Sequence, residues 1–231
     1  MSMNIKKYIP NFLTCCNLIC GCLGIVYCLE ERSIPAAYFV WVAALFDFLD
    51  GFAARLLKVH SVIGKELDSL ADVVSFGVLP SLVMYKLIAS SSSIPWLPYT
   101  AFIIAAFSAL RLAIFNVDET QRDSFKGLNT PANTLFITSL PLLSGSVAAW
   151  LHQGWLLVLI TIVFSLLMVS PIQFFAFKFK NFSWADNRSR FSFIGLSAVL
   201  LIIFQVAAIP LIILLYILTS LIGGGLKMEK K

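Results

Sequence analysis

Asp47-Phe-Leu-Asp50-Gly51-Phe-Ala-Ala54-Arg55 and, after a short basic connector, Gly64-Lys-Glu-Leu-Asp68-Ser-Leu-Ala-Asp72 put four aspartates, two glycines and an arginine inside an otherwise apolar chain. Asp47 and Asp50 are three residues apart, and Asp68 and Asp72 four apart, so on two helices each pair projects from a single face. Two such helices facing one another form a cage lined by oxygen. Ionised groups at membrane depth are costly and usually mark function, and four of one sign repel unless a cation sits among them. Hard oxygen ligands suggest a cation such as magnesium or manganese. Taken singly, such aspartates are as often salt-bridged surface groups, for which Arg55 and Lys65 are partners at hand. A cation-transport site is the other use for the cage.

The surroundings decide the class. Of 231 residues, 59% are hydrophobic and 13% charged, with a mean hydropathy of +0.90. A soluble core cannot use that much apolar surface, so the chain reads as all-α, a polytopic transmembrane helical bundle. All five cysteines, Cys15, Cys16, Cys20, Cys22 and Cys28, fall in the first apolar run with no His or acidic ligand beside them. They read as small buried hydrophobes. Lys6 and Lys7 ahead of that run imitate a signal peptide, but polar Asn11, Thr14 and Asn17 argue for a retained helix. The net charge of +5 calls for no nucleic acid. In a membrane protein it reports which loops face the cytoplasm.

Apolar runs and Pro/Gly punctuation predict helices over 11–29, 35–57, 66–87, 96–115, 131–151 and 155–169. The stretch 191–222 is too long for one ordinary span, and Gln205-Val-Ala-Ala-Ile-Pro210 lets it turn back as two shorter helices. About eight helices result, the first six forming one core. With both termini in the cytoplasm, fifteen Lys and Arg fall inside and only Arg32 and Lys86 outside, a strong positive-inside asymmetry. The cage adjoins the 58–65 connector and so lies on the cytoplasmic side, and the connector is short enough to make the second and third helices antiparallel neighbours. The divisions expected are a membrane core over 1–175, a basic cytoplasmic linker over 176–190, whose aromatics suit anionic membrane lipids, and a C-terminal helical pair with a basic tail over 191–231.

Asp50-Gly51-x2-Ala54-Arg55-x8-Gly64-x3-Asp68-x3-Asp72, with Asp47 three residues ahead, resembles the signature of the CDP-alcohol phosphotransferases, integral membrane enzymes of phospholipid synthesis. The resemblance implies that Asp47, Asp50, Asp68 and Asp72 share two divalent ions, Mg2+ or Mn2+, over a lipid-linked pyrophosphate. It further implies that Asp72 is the general base. Gly51, Gly64 and Ala54 would let a nucleotide approach helix backbone, Arg55 would offer a forked donor to phosphate, and Thr14 and Asn17 would line the nucleotide site from the first helix, with Asn11 beside them or serving as a cap.

Ser75-Phe-Gly-Val-Leu-Pro80, Arg111-Leu-Ala-Ile-Phe-Asn116 and Phe125-Lys-Gly-Leu-Asn-Thr-Pro131 resemble the phosphatidylserine synthase branch, which moves the phosphatidyl group of CDP-diacylglycerol to L-serine. Ile114 stands where that branch commonly has a second arginine, and Asn129 where it has a proline. The branch implies an acceptor site at Arg111, Asn116 and Lys126, with CDP-diacylglycerol and L-serine as partners. Sibling enzymes use glycerol phosphate or inositol phosphate, acceptors that demand more basic residues. Homodimers are common in the family, although no stretch here reads as a specific helix interface.

Overall fold

The computed structural model describes residues 8–32, 35–59, 61–118, 125–151, 153–174 and 184–228. Lys6, Lys7, Arg122, the 176–183 part of the expected linker, Lys230 and Lys231 lie outside the described residues, and with them the sidedness expected of the two chain ends.

Helix α1 (Tyr8–Leu29) has 22 residues, enough at about 1.5 Å per residue to cross a hydrocarbon layer of about 30 Å. Its buried positions are Pro10, Thr14, Asn17, Gly21 and Gly24, alternately four and three apart and therefore one seam along the helix. The seam is polar in its first half and bare in its second. α2 (Ala36–Leu57) ends where Lys58 takes a left-handed conformation, φ 52°, and its N–H closes onto Ala54 O and Arg55 O. Three residues later Ser61 caps α3 by accepting from the Gly64 N–H at 3.1 Å. This turn reverses the chain. α2 and α3 then make little direct backbone contact, because α1 packs along both. The cage therefore opens in a cleft between α2 and α3, walled by α1.

α3 (Val62–Ser91) is an unbroken 30-residue helix that widens to π-helical winding over Val73–Val78. α4 (Leu97–Val117) opens with a 3₁₀ turn over Leu97–Phe102 and packs against that wide segment. α5 (Thr130–Ser139) is almost wholly buried among α2, α3 and the helix over Ala208–Met228. Its N-terminus explains Asn129, whose Oδ1 accepts from the Ala132 N–H at 2.8 Å; a proline there could not cap the helix. The single span expected over 131–151 is in fact broken. Leu140–Leu142 is a 3₁₀ turn around Pro141, and α6 (Gly145–Leu151) starts afresh at a left-handed Gly145, φ 73°. α7 (Gly154–Met168) follows.

The 191–222 stretch is a hairpin. α8 (Trp184–Phe204) and α9 (Ala208–Met228) meet at a left-handed Gln205, φ 51°, and the rings of Phe193 and Tyr216 lie 6.2 Å apart. Residues so distant in sequence touch only if the two helices run antiparallel. α8 begins at Trp184 with a short helical turn that kinks at Asn187, φ −120°, so 184–190 of the expected linker leads into the helix through a break. α9 enters the core: Ile213, Tyr216 and Ile217 are buried with Phe136, Phe164, Met168 and Phe174. A smaller cluster, Val40, Ala43, Phe76, Leu79 and Val83, joins α2 to α3. Phe12, Ile19, Leu23, Leu45, Phe48 and Leu56 are exposed, as expected of helix faces solvated by lipid. The cysteines correct the expectation of burial: all five are free, and Cys15 and Cys22 lie on the exposed side of α1, where a small apolar side chain meets lipid as readily as a core.

One two-residue antiparallel pairing, Phe125–Lys126 (β1) with Gln173–Phe174 (β2), ties the segment after α4 to that after α7. Beside it, Gly127 has φ 78°, and a Cβ there would sit 2.1 Å from Met168 O. Gly145 shares the left-handed conformation but faces open space. Gly145→Ala should cost only the left-handed strain of about 1–2 kcal/mol. Gly127→Ala should lower the thermal midpoint in detergent by a clearly larger step, since strain and a backbone collision add. Equal shifts would show that the 125–128 segment is not pinned against α7.

Candidate active site

The site is built where the polar half of the α1 seam meets α2 and α3. Carboxylate oxygens of Asp47, Asp50 and Asp68 converge within 4.8 Å of one another. Asp50 is 6% exposed and is fixed from α1: the Thr14 hydroxyl donates to Asp50 Oδ2 at 2.6 Å, with Pro10 O a longer alternative at 3.1 Å. Asp72, one turn beyond Asp68, stands outside this triad. It is as buried as Asp50, and its Oδ1 accepts from Asn17 Nδ2 at 3.1 Å. The structure thus gathers three of the four aspartates and ties the fourth to an amide.

The donor set suits a hard divalent ion. Asp68 Oδ1 is buried with no hydrogen-bond partner, and an anionic oxygen in an apolar bundle needs a donor or a cation. Three carboxylates at this spacing supply the oxygens that such ions prefer.

A cavity of about 230 Å³ opens from the triad, walled by Asn11, Thr14, Asp50, Gly51, Ala54 and Gly64 among others. Every small residue of the signature therefore lines the same space. A Cβ on Gly51 would meet nothing within 4 Å, whereas one on Gly64 would come within 3.0 Å of Asn11 Oδ1. Gly51 keeps room for something outside the protein, and Gly64 keeps room for α1. Arg55 is exposed and is not a wall of this cavity.

A second cavity, also about 230 Å³, is walled by Arg111, Ile114, Phe115, Asp118, Lys126, Ser170 and neighbours. Arg111 is 8% exposed. Its Nη1 donates to Thr130 Oγ1 at 3.3 Å, while its Nε is buried without a partner. Asp72 and Tyr216 act on it electrostatically. Lys126 Nζ lies 3.4 Å from Asp118 Oδ2. Asn116, expected beside these two, is not a wall of this cavity. Its Nδ2 donates to Ser69 Oγ at 2.8 Å and its carbonyl accepts from Lys65 Nζ at 2.7 Å, so it joins α4 to α3.

The sequence reading assigned no role to several buried polar groups: Ser108, Asn133 and Thr134 are wholly buried, as are Ser75 and Thr130, which it met only within longer motifs. Their only signal is that hydroxyls and an amide interrupt apolar helices at three- and four-residue intervals, as on α1.

A family model described as CDP-alcohol phosphatidyltransferase matches residues 7–167. The chain is 35% identical over 176 residues to the CDP-diacylglycerol–serine O-phosphatidyltransferase of Bacillus subtilis (strain 168), covering 74% of this chain and 92% of that protein. It is 32% identical over 186 residues to the protein of that name from Helicobacter pylori (strain J99), 77% of this chain and 76% of that one. The archaeal protein of that name from Methanocaldococcus jannaschii is 34% identical over 173 residues, 74% of this chain and 76% of that one.

Asp68→Asn should weaken Mn2+ binding, read by the EPR signal of free Mn2+ in a titration, by about tenfold or more. It should also raise the metal-free melting temperature, because one of three mutually repelling carboxylates is gone. Unchanged Mn2+ affinity would remove the triad as a metal site.

Proposed function

This chain belongs to the CDP-alcohol phosphatidyltransferase family, and on that premise we propose that it transfers the phosphatidyl group of CDP-diacylglycerol to L-serine and releases CMP. It is a multi-pass integral membrane enzyme, its helices long and apolar enough to cross a bilayer. The observation that carries the assignment is the pairing of two cavities at one end of the bundle, one lined by aspartates and small residues, the other by Arg111 and Lys126.

In this reading the cytidine and pyrophosphate occupy the first cavity against Gly51, Ala54 and Gly64. Thr14 holds Asp50 by its hydroxyl, and exposed Arg55 meets phosphate as it arrives. Divalent ions, Mg2+ or Mn2+ and two in number, held by Asp47, Asp50 and Asp68 with Asp72 at the edge, would supply neutralisation of the pyrophosphate charge. Asn17 fixes one oxygen of Asp72, and the other accepts the proton of the serine hydroxyl. The serine oxygen bonds to the lipid-side phosphorus as the bond from that phosphorus to CMP breaks. The guanidinium of Arg111 receives the serine carboxylate.

A phosphorylated acceptor fits less well. It would bring about two negative charges, and of the two cations in the second cavity Lys126 already faces Asp118. Asn116 acts here by bracing α4 on α3. We place both termini and the active site in the cytoplasm. The far end supports this, since Arg32 pairs with Glu30 and Lys86 with Glu31, at 3.0 Å, leaving little net positive charge there. The core over 1–175, the linker over 176–190 and the pair over 191–231 remain the proposed divisions.

Asp72→Asn should lower kcat by about 100- to 10,000-fold with the melting temperature preserved; normal turnover at saturating metal would remove the base. Arg111→Ala should raise the KM for serine by about tenfold or more and leave that for CDP-diacylglycerol nearly unchanged. Equal effects on both substrates would reduce Arg111 to a packing role. Incubation of the purified enzyme with a panel of alcohols, scored by CMP release, tests serine against the other acceptors.

A further inference from the structure

Asp72 is followed at once by the π-helical segment Val73–Val78, and the cause is legible in the chain. Pro80 has no N–H for the carbonyl four residues earlier, and its ring crowds that carbonyl, which is Phe76 O. The helix responds by widening, and the Leu79 N–H bonds to Val74 O, five residues back. One extra residue in the turn rotates everything before it by about 100° relative to everything after. The Asp68–Asp72 face is thereby uncoupled from the Leu79–Val83 face, which packs with Val40 and Ala43 of α2.

A wide turn is costly unless its loosened backbone groups are met. Here the freed carbonyl is met from two helices, and a third is tied to the turn by a side chain. Phe76 O accepts from Thr134 Oγ1 of α5 at 2.7 Å and more weakly from Ser108 Oγ of α4 at 3.5 Å. Ser75 Oγ donates to the Asn17 carbonyl of α1 at 3.1 Å, the same Asn17 whose amide holds Asp72. Opposite Ser75, Gly21 leaves no room for a side chain: a Cβ would approach Ser75 Cα to 2.9 Å. Thr130 O is a longer alternative acceptor for the Thr134 hydroxyl, at 2.9 Å, and Thr130 Oγ1 accepts from Arg111. A run of hydrogen bonds and peptide groups therefore leads from Asp72 through Asn17 and the wide turn to Thr134, Thr130 and Arg111.

We propose that the Pro80 π-turn is the device that aims Asp72, and that Thr134 is a positioning residue which holds it by the bond to Phe76 O. The role rests on Asp72 serving as the base. Thr134 touches neither substrate, so its contribution is to the geometry of the reacting groups and to kcat.

The test compares isosteric losses of hydroxyl on one helix. Thr134→Val removes the donor to the π-turn. Thr138→Val removes a comparably buried hydroxyl that among the described residues bonds Thr134 O alone, at 2.7 Å, and so controls for the general loss of a buried hydrogen bond. Thr134→Val should lower kcat per folded enzyme by about 10- to 100-fold, the scale expected of a misplacement near 1 Å. The KM values should move by less than about threefold, Thr134→Ser should restore kcat, and Thr138→Val should leave it at the unmodified level. Hydrogen exchange of amides 73–79 gives a second measurement, independent of turnover and of the acceptor: it should accelerate in Thr134→Val and not in Thr138→Val. Faster exchange with unchanged kcat would overturn the positioning role. Equal losses in the two valine variants, or no acceleration of exchange, would overturn the device itself. CMP release is scored with whichever alcohol supports turnover, so a mistaken acceptor leaves the comparison intact.

Discussion

Mutual repulsion among carboxylates held inside an apolar bundle is the constraint on which the rest of this structure depends. At about 5 Å and an effective dielectric near 20, each like-charged pair costs roughly 3 kcal/mol. Three pairs then rival the whole stability of an ordinary domain, about 5–15 kcal/mol. Asp47, Asp50 and Asp68 converge nonetheless, so the fold must hold them by means other than their own preference. α1 does this. It packs along both α2 and α3, donates from Thr14 and Asn17, and is bare enough at Gly21 to bring its backbone against Ser75. A divalent ion would convert the remaining repulsion into attraction, which makes ion binding and local rigidity one event.

The same need for local satisfaction orders the far end of the bundle. Lys86 Nζ donates to Cys28 O at 2.6 Å and meets Glu31 at 3.0 Å, so a cation closes the open carbonyls at the end of α1 as the helix dipole favours. Arg32 lies over the Tyr27 ring at 5.1 Å and pairs with Glu30. Charge there is consumed in helix ends. At the site end, Arg55, Lys58 and Lys65 have no carboxylate within ion-pair distance among the described residues. A bundle whose far-end cations are paired and whose site-end cations Arg55, Lys58 and Lys65 are not offers anionic substrates a defined end.

What could be read from the chain followed from contrast. Four aspartates in an apolar background announce themselves, and helical spacing places them on shared faces before any coordinates are known. Thr14 and Asn17 were visible for the same reason, three residues apart on an apolar helix. The hairpin over 191–222 followed from length against membrane thickness together with the polar Gln205 and Pro210. Other features had no such contrast. The break at Pro141 and Gly145 looks like ordinary membrane-helix punctuation. Asn116 and Arg111 lie on the same helix and within one motif, yet only tertiary packing decides that one braces α3 at Ser69 while the other walls a cavity. The free cysteines show the limit of composition: a residue type that is usually buried in water-soluble proteins has two outward faces available in lipid. Val-Val-Ser-Phe-Gly-Val reads as plain helix, and its widening became interpretable only from the acceptors around Phe76 O.

The two cavities lie on different sides of α3, and this bears on the displacement itself. The first is walled by α1, α2 and the start of α3; the second by the end of α4 and the segment after α7, with α4 packed on the wide turn of α3. Displacement at phosphorus requires the entering and leaving oxygens to be in line, on opposite faces of the centre. In the proposed reaction, a nucleotide held on the α1–α2 side and a hydroxyl delivered from the α4 side would meet that requirement beside a residue tied to both sides. Asp72 has those ties. It is bonded to Asn17 of α1 and within electrostatic reach of Arg111 of α4. An α-helix of normal winding would turn Asp72 with the Leu79 face that packs on α2, away from one of its two partners. On the proposed assignment, the widened turn after Asp72 would let one helix stand between donor and acceptor while its carboxylate keeps its ties to Asn17 on one side and Arg111 on the other.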